Sequence, residues 1–211
     1  DGPVQIRQGA TQDRIISVHD PEIRHGRKSA SKLFSGHKLS SVVDVDTGLI
    51  LAVDIIAGNA PDNEGALDLV NKASSNAGLP VSKAIGDCAY GDGATRQAFH
   101  DAGIPLSAKV PSPPASDPFH KGRFILDLTN MIAACPAGQS TTDHDYGWHR
   151  HGATTRFVFP ADVCQACPSR EPCLRSADGK RQRGRTIQLH PQEELLQQAR
   201  QAQSQPTFRE D

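Results

Sequence analysis

The apolar residues of this chain of 211 residues fall into short runs of two kinds. Residues 37–45 and 49–57 are rich in β-branched and aliphatic side chains, and residues 46–48 between them read Asp-Thr-Gly, which predicts a β-hairpin. The second run is almost entirely apolar, as expected for a strand that is covered on both faces. Residues 14–20 predict a further short strand, which ends before Pro21 because proline cannot continue a ladder.

A helical period replaces the strand pattern after the hairpin. Apolar residues recur every three or four positions after Pro61, and Gly78 gives a C-terminal stop, so a helix is predicted between them. Residues 81–87 predict a buried strand, residues 94–102 a short helix and residues 104–110 a last strand. The order of these elements predicts an α/β fold, a mixed sheet with helices packed on it.

A proline-rich stretch at residues 111–114 marks a boundary. The residues beyond it are poor in helix signals and rich in Gly, His, Cys and Arg, until residues 191–203 predict an amphipathic helix with proline in its first turn. We therefore divide the chain into a linker at 1–12, a core at 13–110, a cysteine-containing subdomain at 111–190 and a C-terminal helix at 191–211.

The composition and the net charge reduce the number of classes to which this protein can belong. Lys and Arg number 23 and Asp and Glu 24, so the formal net charge is −1 and the chain is not a polycation that bulk charge holds to nucleic acid. No apolar run approaches the roughly 20 residues that span a bilayer, and no membrane partner is expected. The single methionine is Met131, so Asp1 is not a translation start, and we expect the chain to be a processed product or a piece of something longer.

Five cysteines without a secretory signal favour reduced thiols over a disulfide framework. Cys164 and Cys167 form a C-x2-C pair, Cys173 follows it, and Cys135 can supply a fourth thiolate from a turn. Four thiolates suit tetrahedral Zn²⁺ in a closed structural site, and unmetallated buried cysteines are the alternative. The interval before the pair is long, so three histidines are alternative fourth ligands: His144, His149 and His151.

A carboxylate follows the predicted strand at residues 81–87. Asp87 precedes a glycine-rich turn and a helix, and functional groups in α/β sheets gather beyond the carboxyl ends of strands, where a carboxylate can bind Mg²⁺. Asp20 is the candidate second carboxylate, and two such groups can hold a pair of Mg²⁺ ions about 4 Å apart for phosphoryl transfer. The structural alternatives are a cap or turn at Asp87 and a turn before Pro21. Cys88 is expected to be a small buried hydrophobe.

Two basic stretches are candidates for contact with DNA phosphates, which Lys and Arg neutralise without reading the base sequence. A solvated basic loop is the alternative for each of them. The residues are Arg24, Arg27 and Lys28 in the first stretch and Lys180, Arg181, Arg183 and Arg185 in the second. A third group mixes aromatic rings with charge and predicts no particular role: His144, Trp148, His149, Arg150 and His151.

Several motifs, in order along the chain, resemble bacterial insertion-sequence DDE transposases. The resemblance runs from about Asp13 to the last residue. The motifs are DRIISVHDPE at 13–22, RHGRK at 24–28, GHK at 36–38, GNAPD at 58–62, GDCAYGDG at 86–93, CPAG at 135–138, the cysteine cluster and LHPQE at 189–193.

This resemblance implies an RNase H-like catalytic core, in which three acidic residues and two Mg²⁺ ions nick DNA and join the freed 3′ end to a target. Asp87 falls on the position of the second acidic residue. In relatives of this type the first lies upstream of the residues present here, and the third, a glutamate, is expected shortly after Asp211. Glu210 precedes that motif, and we expect this chain to lack a complete triad.

The expected function is therefore DNA transposition, with Mg²⁺-dependent cleavage and strand transfer on transposon ends and target DNA. We expect a two-metal Mg²⁺ site, a structural Zn²⁺ in a small zinc-ribbon-like insertion, and a homodimer or larger assembly on DNA in the bacterial cytoplasm, at the nucleoid. A non-catalytic, zinc-containing DNA-binding module derived from a transposase is the alternative, and a hydrolytic nuclease on the same fold is a weaker one.

Overall fold

Strands and helices alternate along the chain in a mixed α/β architecture. The computed structural model describes residues 14–29, 31–111, 117–149, 152–174 and 184–209. These residues form five α-helices and eleven strands, which are arranged in four small sheets. No helix in this part of the chain is both long enough and apolar enough to cross a membrane. The chain divides into two compact units, Asp1–Tyr90 with Ala98–Ser107 and Gly91–Gln97 with Ala108–Asp211.

The predicted hairpin forms the sheet of the first unit, together with one further strand. Strand β2 (Leu33–Val43) pairs antiparallel with β3 (Ile50–Ala57). The turn between them closes because the carboxylate of Asp44 accepts hydrogen bonds from the Thr47 hydroxyl at 2.8 Å and from the backbone N–H of Asp46 at 3.1 Å. Gly48 adopts the left-handed conformation, with φ of 70°, that glycine tolerates best. The prediction of a hairpin is confirmed.

Part of the first basic stretch, for which a solvated loop was the alternative to DNA contact, is a strand. Strand β1 (Arg24–Arg27) pairs antiparallel with the first residues of β2, from Arg24 opposite Gly36 to Arg27 opposite Leu33. The pairing requires glycine at position 26, because a Cβ there would collide with the ring of Phe34. Polar residues form this strand because a neighbouring strand is available to complete the backbone hydrogen bonds.

Residues 14–20 form no strand, so that prediction is wrong. The Ser17 hydroxyl oxygen accepts the backbone N–H groups of His19 and Asp20, both at 3.2 Å, and this local turn replaces a ladder. Ile15 and Val18 are exposed. An alternating pattern alone does not make a strand when no partner strand lies beside it.

The hairpin buries only one of its faces. Helix α1 (Ala66–Ala77) packs on that face, where Ala73 and Ala52 are buried together. Leu39 and Ile55 are directly opposite each other in the register, and both are about two thirds exposed, at 71% and 67%. The prediction that the second strand is covered on both faces is therefore wrong.

Helices and short strands follow in the predicted order. Helix α1 ends at Gly78, whose φ is 67°, and α2 (Gly93–Asp101) connects β4 (Ala84–Ile85) to β5 (Leu106–Ser107). Strands β4 and β5 pair in parallel, as a helical crossover allows. Both helices are confirmed, although each of the two predicted strands is reduced to two residues.

Two three-stranded antiparallel sheets form the second unit. The first sheet has the order β6-β7-β8 and the second the order β11-β10-β9. Their bounds are Ile125–Asp127 (β6), Ile132–Ala134 (β7), Ser140–Thr141 (β8), His144–His149 (β9), Gly152–Val158 (β10) and Thr186–Gln188 (β11). Helices α3 (Ala161–Gln165) and α4 (Arg170–Leu174) follow β10, and α5 (Glu193–Gln203) follows β11.

The core of the second unit is built around two phenylalanines. Phe157 and Phe159 are the largest fully buried side chains among the described residues. Burial of each such ring contributes roughly 1.5–3 kcal/mol. The buried cluster consists of Phe124, Ala133, Phe157, Phe159, Ile187 and Leu189.

Helix α5 confirms the predicted C-terminal helix, and it begins with a buried charge. The carboxylate of Glu193 is 3% exposed and contacts the ammonium of Lys121 and the guanidinium of Arg200, the latter at 3.2 Å. It also accepts the backbone N–H of His190 at 2.9 Å. Burial acts to raise the pKa of Glu193, but the hydrogen bonds from Lys121 and His190 and the two positive charges outweigh it, and the pKa is lowered.

Substitution of Glu193 is expected to destabilise the second unit. Glu193→Gln removes the charge that compensates Lys121 and Arg200, and it is expected to lower the free energy of unfolding by about 2–3 kcal/mol. This is less than the loss for fully buried pairs, because both cations are about one third exposed. A carboxyl with a lowered pKa stabilises the fold above its ordinary pKa, and this stability is lost as the pH falls through the lowered value. Urea unfolding at neutral and acidic pH measures both effects.

The neighbouring Glu194→Gln is the matched control, since Glu194 is exposed. Equal losses for the two variants, or an unchanged acid sensitivity in Glu193→Gln, would contradict the assignment.

Candidate functional site

Asp87 lies in an exposed turn directly after the parallel strand β4. Its Oδ1 accepts the backbone N–H of Ala89 at 2.7 Å, and its carbonyl accepts the N–H of Tyr90 at 3.2 Å, so that Cys88–Tyr90 forms one turn of 3₁₀ helix. The side chain of Asp87 is open to solvent. Cys88 is exposed as well, and the expectation that it is a buried hydrophobe is wrong.

Tyr90 lies in this turn and is influenced by a second carboxylate, Asp62. Its ring packs on the backbone of Gly86, where a Cβ would lie 3.0–3.2 Å from the tyrosine side chain. Burial raises the pKa of Tyr90, and the negative charges of Asp62 and Asp87 raise it further. Both carboxylates therefore lie within electrostatic range of this phenol.

A lysine of β2 holds Asp62 in place. The ammonium of Lys38 donates to Asp62 Oδ1 at 2.8 Å and to the carbonyl of Ala60 at 2.6 Å. The ammonium side chain is 22% exposed and the carboxylate 56%, so the pair fixes geometry more than it contributes stability. A cavity of about 290 Å³ lies beside this group, and its lining includes Ser40, Val43, Asp62, Gly86 and Tyr90.

Asp20 lies beside a histidine of β2. Its Oδ1 accepts the backbone N–H of Glu22 at 3.1 Å, which is the turn that Pro21 favours, and its Oδ2 lies 3.5 Å from His37 Nε2. The carboxylates that act on the phenol of Tyr90 are Asp62 and Asp87, and Asp20 is not among them. The role of Asp20 as a second metal ligand stays a prediction.

The first basic stretch lines an open groove in the first unit. Arg27 and Lys28 are exposed, and with Lys32 and Lys38 they border a groove of about 930 Å³. Arg24 is used differently, because its guanidinium donates to the backbone carbonyls of Pro21 at 2.6 Å and Ile23 at 3.0 Å. In the second stretch Lys180, Arg181 and Arg183 lie outside the described residues.

Four cysteines of the second unit line one small cavity. Cys135 follows β7, Cys164 belongs to α3, Cys167 follows α3 and Cys173 belongs to α4. The cavity they share has a volume of about 30 Å³. Cys88 belongs to the first unit and takes no part in this cluster.

Backbone groups and Arg185 surround the sulfur atoms. The N–H of Gln139 donates to Cys135 Sγ at 3.4 Å, and the N–H of Arg185 donates to Cys164 Sγ at 3.3 Å. Burial raises the pKa of the Cys173 thiol, whereas the positive charge of Arg185 lowers it. The other three cysteines of the cavity raise it further.

The guanidinium of Arg185 is bound inside the second unit. It donates to the carbonyls of Cys173 at 2.9 Å and Phe119 at 3.0 Å and lies 5.6 Å from the ring centroid of Phe124. These contacts favour a structural role, and its contact with DNA stays a prediction.

In the part of the chain that the structure describes, no group of three or more His, Cys, Asp or Glu side chains is gathered closely enough to hold a metal ion. The four cysteines share a cavity without being drawn into a coordination shell. Of the alternative ligands, His144 donates from Nδ1 to the carbonyl oxygen of Thr142 at 2.8 Å and packs edge-on against Phe157. The side chain of His149 and all of His151 lie outside the described residues.

Comparison with known families identifies the chain. Two family models, both described as transposase DDE domain, match residues 11–115 and residues 134–211. Together these stretches cover most of the sequence, and the chain belongs to the DDE transposases of insertion-sequence type. Such domains serve DNA transposition and generally use Mg²⁺. The searches of curated proteins and of solved structures returned no match.

Sequence reasoning found Asp87 but missed Tyr90 and Asp62, whose charge acts on the same phenol. Asp62 and Tyr90 are members of the motifs at residues 58–62 and 86–93, and this membership is the signal that points to them. The effect of Asp62 on Tyr90 joins residues 28 positions apart, which local patterns do not encode.

The position of Asp62 can be tested through the titration of Tyr90. The chain has only two tyrosines, so Tyr146→Phe leaves Tyr90 as the single phenol. In that background Asp62→Asn removes a negative charge that disfavours tyrosinate, and the pKa of Tyr90 is expected to fall. Tyrosinate absorbance as a function of pH measures the shift.

Asp46→Asn is the control, because Asp46 is an exposed carboxylate in the turn between β2 and β3. Identical titration curves for Asp62→Asn and its parent would show that Asp62 does not face the phenol.

Proposed function

We propose that this protein catalyses Mg²⁺-dependent DNA strand cleavage and strand transfer during transposition, with Asp87 as a metal ligand. The observation that carries the proposal is the position of Asp87 in a solvent-open turn after a parallel strand, in a chain that belongs to the DDE transposases. This is the end of a strand at which α/β proteins place their functional groups. We also propose that the strands of the core complete an RNase H-like sheet.

The residues around Asp87 have separate tasks in this proposal. Asp87 presents carboxylate oxygen, the type of ligand that Mg²⁺ prefers. When bound, the metal stabilises the charge that develops on the phosphate and activates the attacking oxygen. Asp62 adds negative charge near the phenol of Tyr90, and the hydrogen bond from Lys38 orients its carboxylate. The hydroxyl of Tyr90 is protonated at neutral pH, as a phenol ordinarily is, and is available as a hydrogen-bond donor.

The groove bordered by Arg27, Lys28 and Lys32 is the proposed track for the DNA backbone. The side chains are exposed and share one sign of charge, which suits contacts with phosphates that hold the DNA without reading its sequence. The net charge of −1 for the whole chain does not oppose this, because these cations lie close together and Asp62, which also lines the groove, is paired with Lys38. Assembly as a homodimer or larger oligomer on DNA, and a location at the nucleoid, stay predictions.

We propose further that Cys135, Cys164, Cys167 and Cys173 hold a structural Zn²⁺. Two features support the fit: the four thiols line one cavity, and backbone N–H groups donate to two of the sulfurs. Each N–H···S bond stabilises the thiolate form that zinc requires. Bound Zn²⁺ would draw the turn after β7 to the two short helices that follow β10.

One observation favours the alternative of a DNA-binding module without catalysis. Asp20 lies beside His37, and the described residues contain no cluster of three carboxylates. A binding module would keep the groove and the cysteines but would have no use for a metal at Asp87. Metal binding at Asp87 therefore separates the two functions.

Asp87 is expected to bind a divalent cation. Titration of Mn²⁺ should broaden the NMR signals of residues 86–91 in the wild type, and Asp87→Ala should abolish most of this broadening because it removes a carboxylate ligand. Asp46→Ala, which removes an exposed carboxylate elsewhere, should behave like the wild type. Identical broadening in wild type and Asp87→Ala would overturn the assignment and favour the binding module.

The cysteine cluster is expected to carry about one zinc per chain after expression in zinc-replete medium. Cys167→Ser should lose most of the zinc and lower the melting temperature, since a closed four-thiolate site contributes to folding. Cys88→Ser is the matched control, because Cys88 lies outside the cluster. Elemental analysis that finds no zinc in the wild type, or an equal loss in both variants, would contradict a zinc site.

A further inference from the structure

Two aromatic side chains of strand β9 are exposed, unlike all the others in the chain. The sequence contains seven Phe, two Tyr and one Trp, and every one of them except Tyr146 and Trp148 is buried or half-buried. Tyr146 is 88% exposed and Trp148 78%. Rings of this size normally bury most of their surface, so a strand that presents two of them side by side indicates a binding surface.

The pairing of β9 with β10 puts both rings on the same face. Tyr146 is opposite Thr155 and Trp148 is opposite Ala153, and residues two apart on a strand share a face. The side chains of Thr155 and Ala153 are too small to cover the rings. Strand β9 is also the edge strand of its sheet, so a ligand can approach the rings from the face and from the side.

Hydrogen bonds from side chains of the neighbouring strands fix the backbone that carries these rings. The side-chain amide of Gln188 donates to the carbonyl of Trp148 at 2.7 Å, although Gln188 lies on β11 at the far side of β10. Asp145, whose side chain belongs to the other face of β9, accepts two hydrogen bonds from Arg156 at 2.8 and 2.5 Å. A preorganised platform loses less entropy when it binds a ligand than a mobile loop does.

We propose that Tyr146 and Trp148 form a stacking surface for the bases of unpaired DNA. Flat aromatic rings stack on the faces of any base, and unpaired bases expose faces that a duplex covers. Residues two apart on a strand are separated by about 6.8 Å, which equals two base steps of about 3.4 Å. A single strand that runs along β9 can therefore contact both rings.

The sequence beyond the rings complements the charge of DNA. The two residues between β9 and β10 are Arg150 and His151, and His149 precedes them, so no acidic residue occurs from Trp148 to the start of β10. A docking surface for an apolar protein partner would not need this basic run. The inference rests on the proposed action on DNA, but it involves neither the metal nor Asp87.

The single tryptophan makes the surface directly observable. Because Trp148 is the only tryptophan, the tryptophan emission of the full chain reports this site alone. Addition of an oligothymidylate of about twelve nucleotides should quench the emission. A duplex of the same length should quench it less. Equal quenching by the two DNAs, or none by the single strand, would overturn the proposal. A change on raising the protein concentration alone would indicate a second copy as the occupant and would overturn it as well.

Variants test whether the rings supply the affinity. Binding of a fluorescein-labelled single strand, followed by anisotropy, should weaken roughly 5- to 150-fold in Tyr146→Ala and in Trp148→Ala. Ile125→Ala is the control, since Ile125 is a 75% exposed apolar residue on β6. Equal affinities for Tyr146→Ala and Ile125→Ala would contradict the assignment. Because Tyr146 is exposed, Tyr146→Ala is not expected to lose affinity through misfolding. A thermal melt identical to that of the wild type checks this.

The binding conditions separate this inference from the proposed function. Affinity for the single strand is measured without added divalent cations, so it depends neither on a metal at Asp87 nor on cleavage. If the aromatic variants lose affinity under these conditions, the surface is established whether or not cleavage depends on Asp87.

Discussion

The close packing of six buried side chains, Phe157 among them, is the constraint on which the second unit depends. Most of its strands are only two or three residues long, and such strands contribute few ladder hydrogen bonds. Three of the clustered cysteines, Cys135, Cys164 and Cys173, pack against this core. We therefore expect that a displacement of Phe157 or Phe159 also shifts these three thiols.

Local signals predicted the elements that local interactions determine. The hairpin turn at Asp44 and the helix end at Gly78 are encoded within a few residues, and both were predictable. Strand β1 and the irregular residues 14–20 were not, because the difference between them lies in whether a partner strand is adjacent. The exposed side of β3 was missed for a related reason, since composition indicates that a residue is apolar but not whether another layer covers it.

The candidate sites show the same limit. Asp87 and the four cysteines stood out through residue type and spacing, and the structure describes all of them in turns or short helices. The contribution of Asp62 depends on Lys38, which lies 24 residues earlier in the chain, so no local pattern revealed it. The stacking surface at Tyr146 was hidden because the sequence does not distinguish an exposed ring from a buried one.

The uncovered side of the hairpin affects how the molecule behaves in solution. Leu39 and Ile55 present adjoining aliphatic surface, and the whole chain carries a formal charge of −1. Proteins near zero net charge have little mutual repulsion to oppose contact between such surfaces. We therefore expect the colloidal stability of this transposase domain to be lowest near neutral pH. It should improve when a change of pH raises the net charge, or when a further segment of protein covers this face.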